Sequence, residues 1–240
     1  MFRKFHRLVF IAGVTGLIVL AVWPFHDWVL RYGLFLSLAA AWTAGLGYIW
    51  QRKIWRVVVM ALPLLAAVPF LLPGKPLHPA KQRDRYIAAM RGVEGASYVW
   101  GGESHWAIDC SGLPRRALRD ALWVEGCENA NGAAFREWAR QWWFDTSAKA
   151  LGENYRGFTR PTGAGGKLRD LDFTTLVRGD LAVTADGRHV MVYLGNGDWI
   201  QADPGPVKVT ISSPATDPNY YFNAMVKMQR WTVLERVEAC

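Results

Sequence analysis

The chain has 240 residues, 51% of them hydrophobic, 13% aromatic and 20% charged, with a formal net charge of +8. That length holds one sizeable domain plus an appendage, and a basic surplus of this size invites a nucleic-acid reading. The distribution excludes it: residues 1–80 carry 8 basic and 1 acidic side chains, residues 81–240 carry 20 and 19, so the larger part has no basic excess with which to follow a phosphate backbone.

In chain order, the first 72 residues read as a membrane region. Apolar runs at about 8–23, 29–50 and 55–72 are each near the roughly 17 to 25 residues that a spanning helix needs. Trp23, Trp28, Trp50 and Trp55 fall at the run ends, where amphipathic indoles favour the membrane interface. Arg3, Lys4 and Arg7 precede the first run, and Arg52, Lys53 and Arg56 separate the second from the third. The positive-inside rule then puts the N-terminus in the cytoplasm and everything after Leu72 outside. A cleaved signal peptide ending near Val19 and Ala21 is a competing reading of the first run and leaves that placement unchanged.

Residues 73–80 hold three prolines and read as a short, stiff linker to a domain over 81–240. Lys81 to Arg91 reads as a helix. A loop over 93–108 then leads to Cys110, followed by an apolar stripe at helical spacing through Leu113, Ala117, Leu118, Ala121 and Leu122. A cysteine at a helix start is a candidate nucleophile, because free N–H groups and the helix dipole stabilise a thiolate and lower its pKa. The competing reading is a small buried hydrophobe. An activated thiolate is expected to react with a mild electrophile before Cys127 does. Pro114 removes an early helix N–H and is expected to disturb the first turn.

Ala133 to Leu151 reads as an aromatic helix with Phe135, Trp138 and Trp142 on one face, packing on its own core or forming a groove wall or membrane-facing lid. Gly157 to Lys167, rich in glycine, reads as a mobile loop, and GAGGK at 163–167 fails as a phosphate loop because Pro161 stands where a first glycine is required. From Asp180 the period changes to two, with strands at Asp180–Ala185, His189–Leu194, Asp198–Asp203, Val207–Ile211 and Val226–Leu234. Helices before strands give an α+β fold with an antiparallel sheet of about five strands. Of the 3 cysteines, Cys127 and Cys240 fit either a bridge or two free thiols. No zinc site is expected, since no ligand spacing is present.

A nucleophilic thiol needs a base, and His189 is the candidate among 5 histidines; His105, five residues before Cys110, reads as a loop histidine. Alternation puts His189, Met191 and Tyr193 on one strand face. Matching the apolar faces of this strand and the next requires an odd loop or a bulge around Asn196-Gly197. That register puts His189, Gln201 and Asp203 on one face, so a base gains a polar orienter in either Gln201 or Asp203.

Four segments in order, YVWGG at 98–102, DCSGL at 109–113, RGDLAV at 178–183 and HVMVYLGNG at 189–197, resemble the NlpC-type cell-wall peptidases, a papain-like cysteine peptidase family. The resemblance implies a papain-like core with an insertion at about 123–177, Cys110 as nucleophile, His189 as general base and Gln201 as orienter. It also implies Tyr98 lying against the nucleophile and Asp109 and Ser111 flanking substrate. Its activity would be cleavage of amide bonds in peptidoglycan stem peptides without metal or cofactor, by a domain outside a bacterial inner membrane. An amidase or acyltransferase of the same fold on a membrane-proximal substrate, and a catalytically silent binding module, are the alternative readings.

Overall fold

The structure, a computed structural model, describes residues 2–235. It divides into two compact units, Met1–Leu72 and Pro73–Cys240. The first holds three helices, α1 (Phe2–Ala21), α2 (Trp28–Ile49) and α3 (Lys53–Leu71), each long and apolar enough to cross a membrane. Asp27 starts α2 by accepting from Leu30 N at 2.9 Å. Small residues let α1 and α2 approach closely, since a Cβ at Gly13 would lie 2.6 Å from Ala41 N. Inside α3, Pro63 has no N–H for the carbonyl of Val59, four residues earlier, and that freed oxygen accepts from Trp42 Nε1 at 3.0 Å.

The second unit is α+β. Its helices are α4 (Pro79–Arg91), α5 (Gly112–Asn129), α6 (Gly132–Trp143) and α7 (Ala148–Gly152). Its strands are β1 (Ser97–Tyr98), β2 (Ala107–Ile108), β3 (Thr159–Lys167), β4 (Leu181–Thr184), β5 (Val190–Gly195), β6 (Asp198–Asp203), β7 (Lys208–Ser212) and β8 (Met225–Trp231). They form one sheet in the order β2-β1-β7-β6-β5-β4-β8-β3, antiparallel except for β1 with β2. The five predicted strands correspond to β4 through β8, and β1, β2 and β3 extend the sheet. The hairpin register comes out as the apolar alternation requires: Val192 pairs with Ile200 and Tyr193 with Trp199, with a bulge before Gly195 and a left-handed Asn196-Gly197 turn.

Both faces of the sheet are buried. Val190, Val192, Leu194, Ile200 and Ala202 pack with the Leu113–Leu122 stripe of α5, while Met191, Tyr193 and Trp199 pack with Met228 and Phe222 on the other side.

Three sequence expectations change. Gly157–Lys167 is not a mobile loop: Thr159–Lys167 pairs with β8 across a bulge between Pro161 and Gly165, so the exposed edge of β8 recruits a strand in spite of its glycines. The aromatic stretch is two helices, because α6 ends at Trp143 and Ser147 caps α7 by accepting from Ala150 N at 3.2 Å. The proline-rich segment is fastened to the second unit, since Asn131 accepts from Lys75 N at 2.9 Å and donates to Lys75 O at 3.0 Å. Cys127 is exposed; Cys240, the other half of the suggested bridge, lies outside the described residues.

Candidate active site

The Cys110 helix is started by the residue before the cysteine. Asp109 Oδ1 accepts from Ser111 N (2.9 Å), Ser111 Oγ (3.0 Å) and Gly112 N (2.6 Å), and its Oδ2 accepts from Gly101 N at 2.9 Å. One carboxylate thus caps α5 and ties it to the 98–102 loop. The glycines of both segments serve the same closure. Gly101 has φ +75°, a Cβ at Gly102 would lie 2.7 Å from Ala107 O, and one at Gly112 would collide with the Gly102 carbonyl. Leu113 N donates to Asp109 O at 3.0 Å, so Pro114 falls in the first turn, where it forfeits one bond, to Cys110 O, without displacing the helix.

Opposite this helix start, Thr184 Oγ1 accepts from His189 N at 3.0 Å at the head of β5. His189 Nε2 lies 2.7 Å from Gln201 Oε1. An amide oxygen only accepts, so Nε2 carries the proton and Nδ1 keeps its lone pair. Asp203, on the same face, is engaged elsewhere, accepting from Gly205 N at 2.8 Å and from Asn219 Nδ2 at 2.5 Å. The hydrogen bond that orients the ring therefore comes from Gln201. The Cys110 thiol donates to Arg188 O at 3.7 Å, the carbonyl immediately before His189. Tyr221 stacks on the imidazole, ring centroids 3.6 Å apart and planes 12° apart. Tyr98 lies close enough to Cys110, Asp109 and Asp203 for their charges to raise its phenol, behind the larger effect of burial. Among the described residues no three His, Cys, Asp or Glu side chains are grouped to hold a metal ion.

The NlpC/P60 family model matches residues 95–230, more than half of the chain. This chain belongs to the NlpC/P60 family. Similar solved structures include NlpC2 from Trichomonas vaginalis (18% identity, 65% of this chain and 49% of that one, TM-score 0.40). The P60 domain of an antigen from M. avium subspecies paratuberculosis is another (20% identity, 67% and 100%, TM-score 0.41). A third is the peptidoglycan hydrolase RipB from Mycobacterium tuberculosis (22% identity, 63% and 67%, TM-score 0.36). The chain spans 49% and 46% of the two Trichomonas proteins it matches, NlpC2 and NlpC1. No curated protein matches it.

Within this NlpC/P60 site the helix-start argument for a lowered thiol pKa is overturned. Burial first, then the Asp109 charge, push the Cys110 thiol up to about 12, against an ordinary 9.0; the N–H groups of Val190, Ser111 and Cys110 offset only part of the rise. Burial likewise lowers His189 from 6.5 to about 4, with the Gln201 bond and the charges of Asp203 and Asp186 acting the other way. At neutral pH the resting Cys110 is a thiol and the resting His189 a neutral imidazole. A mild electrophile at pH 7 is therefore expected to alkylate exposed Cys127 at least about tenfold faster than Cys110, reversing the order that a resting thiolate would give. Peptide mapping by mass spectrometry reads the two rates, and faster labelling at Cys110 would refute the neutral pair.

Sequence reasoning did not single out Tyr221, Asn219 or the buried ion pairs of Glu103. Asn219 does carry a local signal, an Asx residue two positions before Tyr221, whose N–H it accepts at 2.9 Å. His105 contacts Asp120 and Arg116 on the protein surface.

Proposed function

We propose that the protein is a membrane-anchored cysteine endopeptidase that hydrolyses amide bonds in peptidoglycan stem peptides through an acyl-thioenzyme. Residues 1–72 are its anchor, 73–80 the joining segment and 81–240 the catalytic domain with its insertion at 123–177. The N-terminal basic clusters favour a domain outside a bacterial inner membrane. The observation that carries the reading is the His189 Nε2 to Gln201 Oε1 bond of 2.7 Å, in an NlpC/P60 domain whose Cys110 thiol rests on the carbonyl next to His189.

In this reading substrate binding displaces the thiol from Arg188 O. As sulfur attacks the scissile carbonyl, Nδ1 of His189 takes the thiol proton, and the Cys110 N–H and Tyr98 hydroxyl face the oxyanion. The imidazolium then gives that proton to the leaving amine, and the thioester is released by a water that His189 deprotonates. Gln201 holds the tautomer through both half-reactions. Asp109 and Ser111 flank the bound peptide through the helix start they build. Mass spectrometry of peptidoglycan digested with the full chain in detergent is expected to show new stem-peptide ends, absent with Cys110→Ala. Intact stems after digestion with the unsubstituted protein would sink the reading.

A further inference from the structure

We propose that Tyr221 is a positioning residue for the His189 imidazole, set in place by a strut that runs from buried Asp203 through Asn219. The proposal rests on His189 acting as general base. A hydrogen bond from Nε2 to Gln201 fixes one point of the ring but leaves it free to swing about that bond, and a swing moves Nδ1 away from the sulfur. The parallel stack of Tyr221, at 3.6 Å and 12°, removes that freedom and covers one ring face from water.

The tyrosine is itself held. Asn219 Oδ1 accepts from Tyr221 N at 2.9 Å, Asn219 Nδ2 donates to Asp203 Oδ2 at 2.5 Å, and Asn219 N donates to Asp217 Oδ1 at 2.9 Å. Asp203 is 2% exposed and lies on the same β6 face as Gln201. The next residue, Phe222, is fully buried against the Met191–Trp199 side of the sheet. One strand thus supplies both constraints on the ring, Gln201 directly and Asp203 through the 219–221 turn. The polar groups around the stack include Gln201, Asp203, Asp186, Cys110 and, facing Tyr221, Tyr220 and Tyr98. Tyr221 also lines a groove with Thr184, Asp186 and Met225.

The test uses the full chain in detergent with isotope-labelled histidine, following the His189 resonance against pH alongside kcat and KM for a stem peptide. Tyr221→Phe keeps the stack and is expected to leave both readouts unchanged. Tyr221→Ala is expected to move the His189 titration from about 4 toward 6.5 and to lower kcat at neutral pH by about tenfold with KM within about twofold. Asn219→Ala should shift both in the same direction by less, and it decides the matter should Tyr221→Ala not fold. Folded Tyr221→Ala protein with an unmoved titration and kcat would overturn the proposal. Absence of cleavage by the unsubstituted protein would instead count against the peptidase reading, while the titration still decides the role of Tyr221.

Discussion

A His189→Gln substitution is expected to lower kcat/KM by about four orders of magnitude, and Gln201→Leu by about two. In the proposed mechanism the first removes the general base that takes the thiol proton. Because the Cys110 thiol is pushed up to about 12, almost none of it ionises unaided near neutrality. The second leaves the base present but takes away the acceptor for its Nε2–H, so the ring loses its tautomer and its aim. The buried position makes that loss larger than a surface hydrogen bond would be, since the stranded N–H finds no water. The pH profile follows with a definite sign. His189 is competent when neutral, and its lowered pKa keeps it so down to about 4; kcat/KM is expected to be level through pH 5 to 8, with an acid limb near 4. An acid limb near 6.5 would show that the ring is exposed to solvent in the working enzyme. Stability carries the same sign: the unfolded chain protonates at 6.5 and the folded ring does not until about 4, so folding weakens as pH falls through that window, by up to about 3 kcal/mol.

What could be read in the sequence was whatever depends on periodicity. The alternation of HVMVYL and the Leu113–Leu122 stripe placed His189, Gln201 and Cys110 on their elements, and the apolar faces forced the bulge that β5 and β6 contain. The closures were not legible. Tyr221 meets His189 from a turn after β7 in which Asp203 on β6 bonds Asn219, and nothing periodic links these positions. β3 looks like a loop in the sequence because its glycines and Pro161 weaken strand propensity, which pairing with β8 overrides. The thiol pKa failed for a related reason. A helix start is visible in the sequence, but the burial of the sulfur and the charge of Asp109, which is tied to the 98–108 loop through Gly101 N, are not.

That loop is held by the second large effect. Glu103 forms ion pairs with two cations one turn apart on α5, Arg115 Nη1 at 3.1 Å and Arg119 Nη1 at 2.8 Å, and all three side chains are at most 5% exposed. Arg115 has a further partner in Asp145 at 2.6 Å, but the Asp145 side chain is 51% exposed and lies beyond α6, outside the loop. Glu103→Gln would leave a buried guanidinium at Arg119 without its carboxylate, where burial already pulls its pKa to about 10. Removing one member of a buried ion cluster costs about 3 to 5 kcal/mol, whereas replacing all members by apolar side chains of similar volume is close to neutral. Glu103→Gln is therefore expected to destabilise the domain by that amount, and the triple variant Glu103→Leu, Arg115→Met, Arg119→Met by much less, in denaturant unfolding followed by tryptophan fluorescence. A Glu103→Gln loss below about 1 kcal/mol, the range of exposed pairs, would mean that the cluster does not fix the loop. Should the large loss appear, kcat is expected to fall in the same variant under native conditions, because Glu103 adjoins the Gly101–Gly102 turn that Asp109 binds to seat the Cys110 helix.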